Sequence, residues 1–169
     1  CTWSRHAPPV HWGGAGTGKS HVLLAIKAFI DCSETPIGQL LTVAYQGKQA
    51  AAVGGTTLHS VCDAGTRNRG KRKTRSTSHK GQSALPETKK RHWKGVTVLA
   101  VEEASMVSCN NLLDISRAAS EVYPLKKGKP FGGLMVIFIG DFNQLLPVGS
   151  TSLAYGAGSA NRVCHPVLF

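Results

Sequence analysis

A glycine-rich segment near the start of the chain carries residue types suited to phosphate chemistry. It reads Gly13, Gly14, Ala15, Gly16, Thr17, Gly18, Lys19 and Ser20. A glycine, four further residues and then glycine, lysine and serine are typical of a loop whose backbone N–H groups surround a triphosphate. The lysine can reach the β- and γ-phosphates, and the serine hydroxyl can ligate Mg²⁺. The segment predicts a site for ATP or another triphosphate with Mg²⁺, the alternative being a glycine-rich turn that matches by chance.

Two adjacent acids suit the remaining chemistry of triphosphate hydrolysis. Glu102 and Glu103 directly follow an apolar run, and the whole chain has only nine acidic residues. Hydrolysis needs one carboxylate that holds the metal and another that polarises the attacking water. We assign Glu102 to the metal and Glu103 to the water. The alternative is a solvated acidic turn after a strand.

A glutamine follows the most apolar run of the chain. Gln144 closes the short polar segment at 141–144, which comes directly after residues 134–140. A glutamine in this position can sense the γ-phosphate or orient the attacking water, as in other nucleotide hydrolases. A polar turn without a catalytic role is the alternative.

The elements that must position these side chains alternate along the sequence. Short apolar runs predict strands at 10–12, 40–44, 96–101 and 134–139, and 3.6-residue periodicity predicts helices at 20–30 and 110–122. Alternating strands and helices indicate an α/β fold with a mostly parallel sheet flanked by helices. Ligands bind such sheets at the carboxyl ends of the strands, where we expect the three polar clusters to meet.

The positive charge is concentrated in one segment. The formal net charge is +11, and residues 63–95 hold eleven Lys and Arg against two acids, a net of +9. Residues 64–94 contain few apolar side chains, which predicts a basic, mobile, disordered insert. The run at 67–75 suits nucleic-acid binding, nuclear localisation around Lys71, or mere solvation, and these alternatives stay open. Trp93 either stacks on a base or, as we favour, packs where the next strand enters.

Length and composition limit the class of protein. The 169 residues suit one domain, and the chain contains no apolar run near 18 residues that would predict a transmembrane helix. The five cysteines lack metal-binding spacing. The first residues do not resemble a signal peptide, and we expect an intracellular protein. The chain does not begin with Met, so we interpret it as a fragment or a processed piece.

Four motifs together resemble the Pif family of superfamily-one DNA helicases, in the RecD-like 5′→3′ branch, some members of which form the helicase part of Helitron transposons. Besides the glycine-rich loop, they are G-K-Q-A-A with G-G-T-T-L-H-S at 47–60, V-E-E-A-S-M-V at 101–107 and G-D-F-N-Q-L-L-P-V at 140–148. The last two are specific to this branch. The resemblance covers most of the chain except residues 64–94.

The resemblance implies a RecA-like P-loop NTPase domain at residues 1–169, the first of two motor domains, which would hydrolyse ATP with Mg²⁺ and translocate on single-stranded DNA. It implies that Lys19, Glu103 and Gln144 are catalytic and that Thr57, His59 and Ser60 lie near the DNA. His59 could instead be a buried structural histidine. Nuclear or mitochondrial location and roles in DNA repair, recombination and telomere maintenance are further expectations from the resemblance alone.

The sequence departs from the family pattern at several positions. Glu102 stands where the family has aspartate, Tyr45 and Gln46 replace a usual Pro-Thr, and Leu146 replaces a proline. The longer acid predicts weaker turnover, since octahedral Mg²⁺ tolerates little displacement of its ligands. The second RecA-like domain, with its arginine finger, does not follow within these 169 residues. Glu102 and the missing second domain favour a catalytically weak nucleotide- or DNA-binding remnant as one alternative to a helicase. A kinase-type phosphotransferase is the other alternative.

Overall fold

The protein is seen here in a computed structural model, which describes residues 10–12, 16–33, 38–62, 84–124, 128–148 and 152–153. Within these ranges the strands are β1 (Val10–Trp12), β2 (Gln39–Ala44), β3 (Thr56–Thr57), β4 (Val96–Glu102) and β5 (Met135–Gly140). The α-helices are α1 (Lys19–Cys32), α2 (Gly47–Ala52), α3 (Leu58–Val61), α4 (Glu87–Lys90) and α5 (Cys109–Val122). Short 3₁₀ turns occupy Arg91–Trp93, Ala104–Met106 and Pro130–Gly133.

The five strands form one sheet in the order β1-β5-β4-β2-β3, and every neighbouring pair is parallel. The central strand β4 pairs with β2 on one side and β5 on the other, with Val101 opposite both Val43 and Phe138. Because both of its neighbours are strands and both of its faces are covered, β4 is buried along nearly its whole length. The predicted parallel α/β architecture is confirmed.

Helices cover both faces of the sheet. On one face, Leu23 of α1 packs with Val98, Ile137 and Ile139. On the other face, α3 and α5 supply apolar side chains that pack against the alternate residues of β4 and β5; they include Leu58, Val61, Leu112 and Ile115. Of the apolar side chains of α1, Leu23 is buried, whereas Val22 and Phe29 are exposed. None of the described helices is long and apolar enough to cross a bilayer.

The prediction of a disordered insert across 64–94 is wrong for its last part. Residues 84–94 contain α4 and a 3₁₀ turn, and Trp93 is fully buried. The Trp93 indole N–H donates to the carbonyl of Val61 at 2.9 Å, and the Leu85 N–H donates to the Glu121 carboxylate at 2.8 Å. These long-range contacts order a segment of low apolar content, and burial rules out base stacking by Trp93. Residues 64–83 lie outside the described ranges.

Candidate functional site

The parallel sheet brings the predicted clusters to one edge. Because all five strands run the same way, their carboxyl ends lie together, and the segment after each strand begins there. In sheet order these segments are the phosphate loop after β1, residues 141–144 after β5, residues 102–103 at the end of β4, residues 45–46 after β2, and residues 57–60 at the end of β3. Nucleotide candidates therefore occupy one side of the edge and DNA-contact candidates the other.

The described part of the phosphate loop has the backbone that its glycines predict. Gly16 and Gly18 have φ values of 75° and 84°, in the left-handed region that non-glycine residues rarely adopt. A Cβ built on either would meet no atom within 4 Å, so glycine is required there by conformation rather than by space. Gly18 precedes α1, which begins at Lys19. Residues 13–15 of the predicted loop lie outside the described ranges.

Ser20 and Glu102 are in direct contact, although 82 residues separate them. The Ser20 hydroxyl donates to Oε1 of Glu102 at 2.7 Å, and Glu102 is 5% exposed. Its other oxygen, Oε2, is buried without a hydrogen-bond partner among the described residues. Burial raises the pKa of the Glu102 carboxyl, opposed by the Ser20 hydrogen bond and by the nearby Lys19 charge. A buried, unpaired carboxylate oxygen is costly, which indicates that this atom serves a ligand.

The Ser20–Glu102 pair fits Mg²⁺. A hydroxyl and a carboxylate are the hard oxygen donors that this ion prefers, and neighbouring ligands of its octahedron lie about 3 Å apart. The described residues contain no cluster of three or more His, Cys, Asp or Glu that could hold a metal. The remaining ligands would accordingly be phosphate oxygens and water, as is usual for Mg²⁺ at nucleotide sites. The extra methylene of Glu102, compared with aspartate, does not prevent the contact with Ser20.

Glu103 adopts an unusual backbone conformation that its sequence did not predict. Its φ and ψ are 53° and 48°, and it directly precedes the 3₁₀ turn Ala104–Met106. For a residue with a Cβ, this left-handed conformation costs about 1–2 kcal/mol. Such strain persists where the surroundings impose it, and it is concentrated at functional sites. Glu103 is partly exposed directly after the buried Glu102, as a group that activates water requires.

Gln144 is held by a residue that sequence reasoning did not select. The Gln144 side-chain amide donates to Oδ2 of Asp141 at 3.1 Å, and its backbone N–H donates to the Asp141 carbonyl at 3.0 Å. The other Asp141 oxygen accepts from the Asn143 N–H at 2.9 Å. An aspartate that caps the backbone two residues later forms an Asx turn, and that local pattern was the available signal. Asp141 is buried, so it fixes Gln144 rather than contacting solvent.

The turn after Glu103 contacts elements on both sides of it. A Cβ built on Gly140 would lie 2.8 Å from the Ala104 nitrogen, so only glycine permits this approach of β5 to the turn. From the other side, the Gln46 side-chain amide donates to the Met106 sulfur at 3.5 Å. The turn thus joins the end of β5, which leads to Gln144, with the segment after β2.

The candidate DNA-contact residues lie together at the end of β3. The hydroxyls of Thr57 and Ser60 share a hydrogen bond of 2.8 Å, and His59 between them is exposed. The exposure of the His59 side chain shows that the interpretation of His59 as a buried structural histidine is wrong. The His59 ring lies 5.8 Å from the Tyr45 ring, centroid to centroid, with an interplanar angle of 64°. Contact of Thr57, His59 and Ser60 with DNA stays a prediction.

The loop, the Ser20–Glu102 contact and the all-parallel sheet define a RecA-like P-loop domain. The family model described as PIF1-like helicase matches residues 10–155. The chain therefore belongs to the PIF1-like helicase family.

Relatives across this family match most of the chain. It is 36% identical over 160 residues to the ATP-dependent DNA helicase PIF7 of Trypanosoma brucei brucei, covering 89% of this chain and 15% of that protein. It is 33% identical over 168 residues to the ATP-dependent DNA helicase PIF1 of Mus musculus, covering 92% and 22%. The chain thus spans about a fifth or less of the length of these two relatives.

Solved structures confirm the fold. A crystal structure of the Pif1 helicase from Candida albicans matches with a TM-score of 0.67 and 27% identity, over 96% of this chain and 35% of that one. The Bacteroides Pif1 helicase in complex with ADP-AlF3 and single-stranded DNA matches with a TM-score of 0.63 and 30% identity, over 85% and 30%.

Proposed function

We propose that this chain is the first motor domain of an ATP-dependent 5′→3′ DNA helicase, in which ATP hydrolysis drives translocation on single-stranded DNA. The hydrogen bond between Ser20 and Glu102 carries the proposal, because it joins the phosphate loop to the acidic strand end within a PIF1-like family member. The proteins named ATP-dependent DNA helicases that the chain matches support the activity, and the resemblance to the RecD-like branch supports the polarity.

Each residue has a role that follows from its position. Lys19 neutralises the β- and γ-phosphates, while Ser20 and Glu102 hold Mg²⁺, which supplies charge neutralisation on the phosphate oxygens. Glu103 polarises the attacking water from its partly exposed position directly after β4. Gln144, which Asp141 holds through a hydrogen bond, senses the γ-phosphate and couples it to the DNA-binding surface.

The DNA and a second domain complete the proposal. The Bacteroides relative was solved with single-stranded DNA and ADP-AlF3, which supports a DNA strand and a nucleotide on the same fold. Relatives are several times longer than this chain, and in them a second RecA-like domain would add the arginine that stabilises the transferring phosphate. We propose an intracellular location, the nucleus first and the mitochondrion as the alternative, which imaging of a tagged full-length protein would test.

Measurement of ATP hydrolysis with and without single-stranded DNA tests the function. We expect this chain alone to bind ATP and to hydrolyse it weakly or not at all, and DNA to stimulate turnover once the second domain is supplied. Lys19→Ala serves as the control that removes the phosphate contact. Robust turnover by the chain alone would contradict the need for a second domain. DNA-independent transfer to a small acceptor would favour a kinase, and binding without turnover in the two-domain protein would favour a remnant.

A further inference from the structure

Two aromatic rings meet at the side of the sheet edge that holds the DNA-contact candidates. Tyr45 follows β2 and His59 lies in α3 after β3, and β2 and β3 are neighbouring parallel strands. Their centroids are 5.8 Å apart in an edge-to-face arrangement. Such pairs are attractive, and they leave part of each ring surface free for a third planar group.

The core of the protein does not use these rings. On α3, Leu58 and Val61 are the buried anchors, and His59 points outward between them. Tyr45 is half-buried and is not among the side chains that form the two hydrophobic clusters of the described residues. The pair therefore covers little of the core, and its exposed surface needs another explanation.

The surroundings suit a nucleic-acid strand. Residues 38–62 contain no Asp or Glu, and Lys48, three positions after Tyr45, is exposed. The Thr57 and Ser60 hydroxyls beside His59 are further partners for a phosphate or a sugar. The nearest acids across the sheet are Glu102, which pairs with Ala44, and the Glu103 that follows it. Aromatic rings beside a cation are the usual features of a sequence-tolerant single-strand site, in which bases stack on the rings.

We propose that Tyr45 and His59 form a stacking platform for one base of single-stranded DNA, with Tyr45 as the principal stacking surface. The inference rests on the proposed function, and it assigns a role to a residue at which this chain departs from the family's Pro-Thr. The platform accepts any base, because every base has an aromatic face. The platform holds one nucleotide next to residues 45–46. This segment contacts the turn after Glu103 through the side chain of Gln46.

Binding of a fluorescein-labelled oligothymidylate to variants of the protein tests the platform. Tyr45→Ala should weaken binding about tenfold, and Tyr45→Phe should stay within about twofold of the wild type, since one stacked base contributes a factor of this size. Oligonucleotides with one abasic position, moved along the strand, supply the second arm. One abasic position should weaken binding to the wild type and leave Tyr45→Ala unaffected, which assigns the lost contact to that ring.

Each outcome decides the proposal. Equal binding by the wild type and Tyr45→Ala, or a loss in Tyr45→Ala that is the same for every abasic position, would refute the platform and leave the helicase function standing. A wild type that binds a fluorescent ATP analogue but no single-stranded DNA would refute both. If Tyr45→Ala fails to bind the ATP analogue, and so does not fold, Tyr45→Leu takes its place, and the abasic scan on the wild type must still show one sensitive position.

Discussion

The carboxylate of Asp141 accepts a hydrogen bond from the side-chain amide of Gln144 at 3.1 Å, while its second oxygen caps the backbone N–H of Asn143. One buried side chain therefore fixes both the turn after β5 and the orientation of the glutamine in it. A group that must respond to a phosphate works only if its position is defined before the phosphate arrives, because misplacement by about 1 Å can cost two orders of magnitude in rate.

We predict that Asp141→Ala lowers DNA-stimulated kcat about tenfold and changes the affinity for ATP less than twofold, since Asp141 acts through Gln144. Steady-state kinetics of the protein with its second RecA-like domain, the two-domain protein, would measure kcat and the affinity for ATP. The double variant with Gln144→Ala should be no slower than the slower single variant, because both remove the same function. Asn143→Ala is the matched control: its side chain is exposed, and its backbone N–H remains. Additive losses in the double variant would contradict the link.

The buried carboxyl of Glu102 predicts a trade between stability and metal binding. Burial raises its pKa in the folded state above the ordinary value of 4.5, so the ionised form destabilises the protein at neutral pH. Glu102→Gln removes the charge and keeps an oxygen that can accept from Ser20. Without Mg²⁺ and nucleotide, we expect the variant to unfold about 2 °C or more above the wild type at pH 7, measured by thermal denaturation. Its Mg²⁺-dependent ATP binding should fall.

The pH dependence of stability gives a second test of this prediction. As the pH falls through the raised pKa towards 4.5, the wild-type carboxyl takes up a proton in the folded state first, and the wild type gains stability. Glu102→Gln has no such proton to gain. Its advantage should therefore be largest at neutral pH and shrink on acidification. An advantage that grows on acidification would show that the carboxylate stabilises the fold.

Much of the fold could be predicted from local pattern. The runs at 96–101 and 134–139 are apolar at nearly every position because both faces of β4 and β5 are covered. Burial of this kind can be predicted from a nearly continuous apolar run. Once these strands are placed in a parallel sheet, the polar residues that follow them must share an edge. The contact of Ser20 with Glu102 follows from that topology rather than from any local signal.

The features that could not be predicted depend on distant partners. Residues 84–94 read as solvated because most of their side chains are polar, yet Trp93 and Leu85 attach the segment to α3 and α5. The left-handed conformation of Glu103 depends on how the following turn packs, and a glutamate gives no local sign of it. Exposure of His59 was likewise undecided, since His59 and Ser60 together lie between the apolar Leu58 and Val61, and this pattern leaves the orientation of each polar side chain open.

The close approach of β5 to the turn after Glu103 predicts a stability effect. In Gly140→Ala the new Cβ would lie 2.8 Å from the Ala104 nitrogen, a backbone atom that cannot move aside cheaply. We expect a loss of about 1–3 kcal/mol in the free energy of unfolding, measured by urea denaturation. Gly47→Ala, in α2, is the control, since its Cβ would meet only a methyl carbon of Thr57 at 3.9 Å. That variant should be neutral or slightly more stable. Equal losses would contradict the packing explanation.

The backbone of Glu103 allows strain to be separated from the carboxylate. Glu103→Ala and Glu103→Gly both remove the acid, so both should abolish most ATP hydrolysis in the two-domain protein. Only glycine adopts φ near 53° without steric cost, and we expect Glu103→Gly to be about 1 kcal/mol more stable than Glu103→Ala. This order of stability, with the glycine variant above the alanine variant, is the reverse of the usual one, in which glycine destabilises through its larger entropy loss. Urea denaturation of the two variants measures the difference, and an alanine variant of equal or greater stability would show that the left-handed turn relaxes when the carboxylate is lost.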